Sequence, residues 1–200
     1  ATGERTELHR PPVGGDQSGA AHSKDGMLSD CTNREELDAL LDRLLPASEG
    51  HARPSADGRA DAPRRILARF AAHKLPYVYI PVPTWRLFSI FGFENLMQGA
   101  YDFPEAIDYA NRRLLEYYLQ GVEEAADLGA ECIWLEEAMT DMFGPEQYRR
   151  FVFPSVRRMT EAIHAAGMRA VHYFCGDPAG KWEMLLDAGT DALALEEGRK

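Results

Sequence analysis

Cysteine is scarce in this 200-residue chain: Cys31, Cys132 and Cys175 are widely separated and odd in number, which fits a reducing cytosol better than a disulfide framework. Positive charge is short as well. Lys and Arg total 22 against 32 Asp and Glu, a formal net charge of −10, so the basic surface that would displace counterions from nucleic acid or an anionic membrane is missing. No uninterrupted apolar run approaches the ~18–20 residues that cross a bilayer, and no basic-plus-apolar leader opens the chain. No Gly-x-Gly-x-x-Gly follows the first strand-like run, which counts against a dinucleotide site. What is present is 45% hydrophobic and 27% charged, enough to bury one sizeable core. A cytoplasmic setting and a small-molecule partner are the expectation.

Residues 1–65 are rich in Gly, Pro, Ser, Asp and Arg and read as an irregular segment broken by one helix, about 33–45. That helix opens on the capping-box pattern Thr32-Asn33-Arg34-Glu35, and Leu37, Leu40, Leu41 and Leu44 form its apolar face. Pro46 to Pro63, with Gly50, Pro54 and Gly58, shows no periodicity and reads as an exposed loop or linker.

Residues 66–200 alternate helical stretches with four short apolar runs, Tyr77 to Val82, Glu131 to Glu136, Arg169 to Phe174 and Asp191 to Leu195. The spacing predicts a long helix from about Phe103 to Leu128, capped by Asp102 and stopped at Gly129. A second runs from Pro145, kinked near Pro154, to Gly167, and a short one from Pro178 to Ala188 with Asp177 as its cap. Leu128-Gly129-Ala130-Glu131, Ala166-Gly167-Met168-Arg169 and Ala188-Gly189-Thr190-Asp191 repeat one helix-to-strand turn. The fold class expected is α/β, with parallel strands and crossover helices, and the repetition favours a TIM-type (β/α)8 barrel over a doubly wound open sheet. A whole barrel takes ~250 residues. Four strands are then part of one, and the chain, which starts at Ala1 and stops just after a strand-like run, reads as a fragment.

Parallel strands bring their last residues to one rim: Pro83 and Trp85, Glu136 and Glu137, His172 to Cys175, and Glu196 with Glu197. Carboxylates near a histidine and a cysteine suit metal ligation or acid/base work, and a thiol beside a helix start would ionise readily. Each residue also has a plainer reading. A Glu-Glu pair ending a strand is equally a solvated turn, Cys132 reads as packed core, and His164 reads as helix surface. Arg149-Arg150 and Arg157-Arg158 read as a solvated helix face rather than an anion clamp. His172 and Cys175, three apart, face opposite sides of a strand and share a ligand if the backbone turns near Phe174; Tyr173 shares the face of Cys175.

Five stretches in order, Phe91-Gly92-Phe93-Glu94-Asn95-Leu96, Asp102-Phe103-Pro104-Glu105, Trp134-Leu135-Glu136-Glu137-Ala138-Met139, Gly144-Pro145-Glu146-Gln147-Tyr148-Arg149-Arg150-Phe151-Val152-Phe153-Pro154 and His172-Tyr173-Phe174-Cys175-Gly176-Asp177, resemble the uroporphyrinogen decarboxylase superfamily. That superfamily includes zinc-dependent corrinoid:thiol methyltransferases. The resemblance implies a TIM-type barrel enzyme and, for the methyltransferase branch, methyl transfer between a corrinoid such as methylcobalamin and a thiol activated by zinc. His172 and Cys175 are then the implied metal ligands, with Glu136, Glu137 and Tyr173 as implied catalytic groups. Here the branch's His-x-Cys-Gly is His172-x-x-Cys175-Gly176, with Tyr173 where the histidine is expected. The resemblance leaves two alternatives: a cofactor-free decarboxylase acting on a tetrapyrrole, whose arginine-rich N-terminal motif and early-loop aspartate are not found in residues 1–90, and a non-catalytic corrinoid or tetrapyrrole binder. The implied partner is a small molecule or a corrinoid, carried on a corrinoid protein in the methyltransferase case.

Overall fold

Four short apolar runs pair side by side, because each is flanked by helices that can cover only one of its faces. The computed structural model describes residues 34–45 and 54–196. Within them the order is α1 (Arg34–Leu44), α2 (Pro54–Asp57), α3 (Asp61–Phe70), β1 (Tyr77–Pro81), α4 (Pro83–Phe91), α5 (Phe93–Asp102), α6 (Pro104–Leu128), β2 (Cys132–Glu137), a 3-10 turn (Thr140–Met142), α7 (Pro145–Phe151), α8 (Phe153–Ala165), β3 (Arg169–Phe174), α9 (Trp182–Asp187) and β4 (Ala192–Leu195). All pairings are parallel, in the order β1-β2-β3-β4. These are consecutive β/α units of a TIM-type barrel, as the strand-helix alternation predicts.

Of the apolar stripe expected along α6, Ile107, Ala110, Leu114, Tyr118 and Ala125 are buried and Leu128, in its last turn, is partly exposed; Asn111 and Val122 are buried as well. Asp102 does not cap it; Asp102 ends α5, and Phe103 stands at the junction. Gly129 and Gly167 take left-handed backbone, and the next amides, Ala130 and Met168, donate back to Ala125 and Ile163 at 3.0 and 3.1 Å. That is the repeated turn, closed by the same bond twice. The kink expected near Pro154 falls at Val152, which separates α7 from α8 and lets Pro154 sit in a first turn where its missing N–H costs nothing.

Two expectations are corrected, and one stretch that carried no expectation is filled. The stretch from Pro46 to Pro63 is not all loop, since α2 and the start of α3 lie in it; Pro54 and Pro63 both occupy first turns. Residues 83–102 form two helices that periodicity did not separate, split at Gly92. The helix expected from Pro178 begins at Trp182, because the Asp177 carboxylate accepts from the Ala179 amide (2.9 Å) and closes a local turn instead. Thr32, Asn33, residues 46–53 and Glu197 lie outside the described residues.

The core lies between the sheet and the helices. Ile80, Ile133, Leu135, Ala170 and Phe174 point into it with Leu87, Phe91, Leu114, Val156 and Met159. The other face of the sheet carries Tyr77 and Tyr79, 61% and 49% exposed, with Trp134, Glu136 and Tyr173 partly covered. No helix among the described residues is long and apolar enough to cross a membrane.

Candidate functional site

Alternation along β2 and β3 divides the rim residues into two sets. Glu137 and His172 fall in the helix-facing phase with Leu135 and Phe174; Glu136 and Tyr173 fall in the open-face phase and pair with each other in register. The structure therefore brings Glu137 to His172 and Glu136 to Tyr173, and it sets the two neighbouring glutamates on opposite sides of the sheet.

Beneath the sheet, Glu137 and His172 are both 0% exposed, and Nε2 of the imidazole lies 2.6 Å from Oε2 of the carboxylate. Glu137 also accepts from the Tyr148 hydroxyl at 3.1 Å and from Thr140 Oγ1. Burial first, and then the adjacent carboxylate, drive the Tyr148 phenol pKa upward, so it stays a donor. Lys181, 4% exposed, donates from Nζ to the Asp141 carbonyl (3.3 Å), with Nζ 5.9 Å from the Tyr148 ring centroid. With its proton on Nε2 the imidazole donates to Glu137, and Nδ1 has no hydrogen-bond partner among the described residues.

Above the sheet, Tyr77, Trp134 and Tyr173 form a row of rings, with centroids 6.1 and 5.5 Å apart. Trp134 Nε1–H donates to Glu136 (2.9 Å), and the Tyr173 hydroxyl donates to Glu196 (2.7 Å). Those bonds have electrostatic consequences. Glu196 is held below the ordinary carboxylate range by Tyr173 and then Cys175, while the Tyr173 phenol is pushed up chiefly by Glu196. Desolvation, and then Glu196, push the Cys175 thiol up to about 11. Alkylation requires the thiolate, so the reaction of Cys175 with iodoacetamide should climb through pH 11 rather than near a free thiol's ~8.5. Mass-resolved alkylation rates between pH 7 and 12 measure this; a plateau by pH 9 contradicts it, and Glu196→Gln should move the midpoint down.

The register keeps His172 and Cys175 apart. The imidazole is committed to Glu137 under the sheet, while Cys175, a protonated thiol, shares hydrogen bonds with Glu196 and Tyr173 above it. No group of three or more His, Cys, Asp or Glu placed to hold a metal ion occurs among the described residues. These donors do not fit a zinc ion held jointly by His172 and Cys175.

Thr140, Asp141, Tyr148 and Lys181 belong to the site and were not singled out from the sequence. The available signal was Glu137 itself: a carboxylate in phase with Ile133 and Leu135 must find donors on the helix side. Cys132 is buried, as its core reading requires. His164 lies on the surface of α8, where it contacts Asp191 at 2.9 Å. Arg150 pairs with Glu105 and Asp108, and Arg157 and Arg158 pair with Glu161, in keeping with a solvated helix face.

Known proteins with similar sequence or structure bear on this arrangement. The family model described as "Uroporphyrinogen decarboxylase (URO-D)" matches residues 84–199, more than half of the chain. The uroporphyrinogen decarboxylases of two Thermus thermophilus strains are 27% and 26% identical to it over 84 residues, 42% of this chain and 24% of theirs. A solved methyltransferase from Methanosarcina mazei superposes with a TM-score of 0.59 at 15% identity, covering 67% of this chain and 40% of that one, and so shares its fold. The chain thus spans about a quarter of the length of the curated relatives it matches. With the ordered motifs, the parallel β/α units and the family match in agreement, the chain belongs to the uroporphyrinogen decarboxylase (URO-D) family.

Proposed function

We propose that the C-terminal rim of the open face, the side that lines the interior of the whole barrel, binds a corrinoid and serves methyl transfer between it and a thiol. The observation that carries this reading is the Trp134–Tyr173 stack at the C-terminal half of β2 and β3, bonded to Glu136 and Glu196 and next to Cys175. Stacked rings suit a broad, roughly planar macrocycle, at ~0.5–1.5 kcal/mol per ring pair beyond the area buried. The charge of the face selects among macrocycles. A corrinoid edged mainly by amides meets Glu136 and Glu196 without the like-charge repulsion that a polycarboxylate porphyrinogen meets there.

A bound methylcorrinoid would supply the methyl group, its cobalt keeping the electron pair of the broken cobalt–carbon bond while the thiolate supplies the pair for the new sulfur–carbon bond. The thiol proton must leave first. Glu136, oriented by the Trp134 indole, is the carboxylate on this face placed to accept it. Tyr173 and Cys175 act as donors to Glu196 and keep that second carboxylate ionised. The described donors do not fit zinc, and no step here is routed through it. The setting is cytoplasmic, in keeping with Cys132 and Cys175 as free thiols.

The names of the Thermus thermophilus relatives favour a second reading, decarboxylation of a tetrapyrrole on the same face. Titrating the full-length protein with cobalamin and separately with uroporphyrin, by tryptophan fluorescence and ligand absorbance, divides the two. Saturable cobalamin binding, weakened about tenfold by Trp134→Ala, which is ~1.4 kcal/mol, is the expected outcome. Uroporphyrin binding without cobalamin binding transfers the assignment to decarboxylation, and binding of neither removes both. Cobalamin binding with no methyl transfer from methylcobalamin to a thiol leaves a non-catalytic binder.

A further inference from the structure

We infer that Glu137 and His172 form a clasp beneath the sheet that positions Glu136, Tyr173 and Cys175 above it. This deepens the proposed function and rests on it for the use of the open face, whereas the clasp itself can be tested without any ligand. Each member of the buried pair is the sequence neighbour of a member of the exposed pair: Glu137 follows Glu136, His172 precedes Tyr173, and Glu136 pairs with Tyr173 across the β2–β3 ladder. Consecutive side chains of a strand leave on opposite faces from one shared peptide plane. Fixing the carboxylate to the imidazole below the sheet therefore fixes the directions in which the glutamate and the tyrosine leave above it.

Three further features support the clasp. The Cys175 amide donates to the Glu137 carbonyl (2.9 Å), so the residue that carries the clasp carboxylate also holds Cys175 at the end of the ladder. Glu137 receives three donors, from His172, Tyr148 and Thr140, which leaves its carboxyl group one orientation. Nδ1 of His172 has no partner among the described residues, so the bond at Nε2 is what orients the ring. A pair of apolar side chains would fill this space without the desolvation cost of a carboxylate and an imidazole. What the polar pair adds is direction.

Trp134 reports on the geometry above the sheet, being bonded to Glu136 and stacked between Tyr77 and Tyr173. It is read in full-length protein in which Trp134 is the one tryptophan kept, Trp85, Trp182 and any tryptophan outside these 200 residues being replaced by Phe. His172→Leu, which alters nothing on the open face, should shift Trp134 emission and raise its acrylamide quenching at least twofold, while His172→Gln, able to donate to Glu137, should restore both. An unchanged Trp134 signal in His172→Leu, with a lowered but cooperative melt, overturns the clasp and leaves the pair a packing feature. If His172→Leu does not fold, His172→Phe, which keeps a ring and loses the bond to Glu137, takes its place under the same criteria. A blank cobalamin titration would remove the proposed function without moving this result.

Discussion

Glu137→Ala should be the most damaging truncation at the site, costing ~3–5 kcal/mol of folding stability. The carboxylate is fully buried and accepts from His172, Tyr148 and Thr140, so its removal strands three donors where no solvent reaches. One stranded buried donor costs ~1–3 kcal/mol, and because the three share a single acceptor their losses do not simply add. Glu137→Gln separates shape from charge: its carbonyl, in the Oε1 position, can still accept from Thr140, while its amide takes the Oε2 position shared by His172 and Tyr148 and can donate to His172 once the ring proton moves to Nδ1, leaving the Tyr148 hydroxyl without its acceptor. It should cost ~1–3 kcal/mol. Urea unfolding of the three proteins at a common slope is the measurement. An alanine variant within 1 kcal/mol of wild type would mean that the network is not closed in solution.

The strands were legible because each is an apolar run bounded by Pro, Gly or acidic residues, and the observed β3 matches its expected range from Arg169 to Phe174. The repeated Gly turn was legible for a similar reason: a left-handed residue ahead of each strand is a local requirement. α4 was missed because residues 83–91 are apolar nearly all round, with Leu87, Phe88, Ile90 and Phe91 buried, which blurs a one-sided stripe; α5 was missed because its ten residues bury only Leu96 and Ala100, too few to mark one. The rim was legible as a set of residues, and alternation correctly separated His172 from the face that Tyr173 and Cys175 share. That Glu137 goes under while Glu136 stays above follows from the same alternation once Ile133 and Leu135 are counted as core. Tyr148 and Lys181 could not be found this way. Both reach the site across the fold, from α7 and from the turn before α9, and no spacing within one element encodes such an approach.

Gly176→Ala should cost ~2–5 kcal/mol, far more than the same change at Gly167, although both glycines have positive φ. Gly167, at +78°, has open space where a Cβ would go, so alanine there meets backbone strain alone, ~1 kcal/mol. Gly176, at +112°, would place its Cβ 2.3 Å from Asp141 Cγ and Oδ2 and 2.7 Å from Asp141 Cβ. Because the Asp141 Cβ is as crowded as its tip, a rotamer change cannot clear the space, and the backbone of the 3-10 turn must move. That turn holds Thr140 against Glu137 and offers the Asp141 carbonyl to Lys181, so the displacement reaches the buried network directly. Adding Asp141→Gly to Gly176→Ala should recover at least half of the loss, since it removes the three atoms nearest the new methyl, and a double-mutant cycle by urea unfolding measures that coupling. Equal losses at Gly176 and Gly167 would show that the turn yields freely, and that the bond between Thr140 and Glu137 does not depend on the Cys175-Gly176 corner packed beside it.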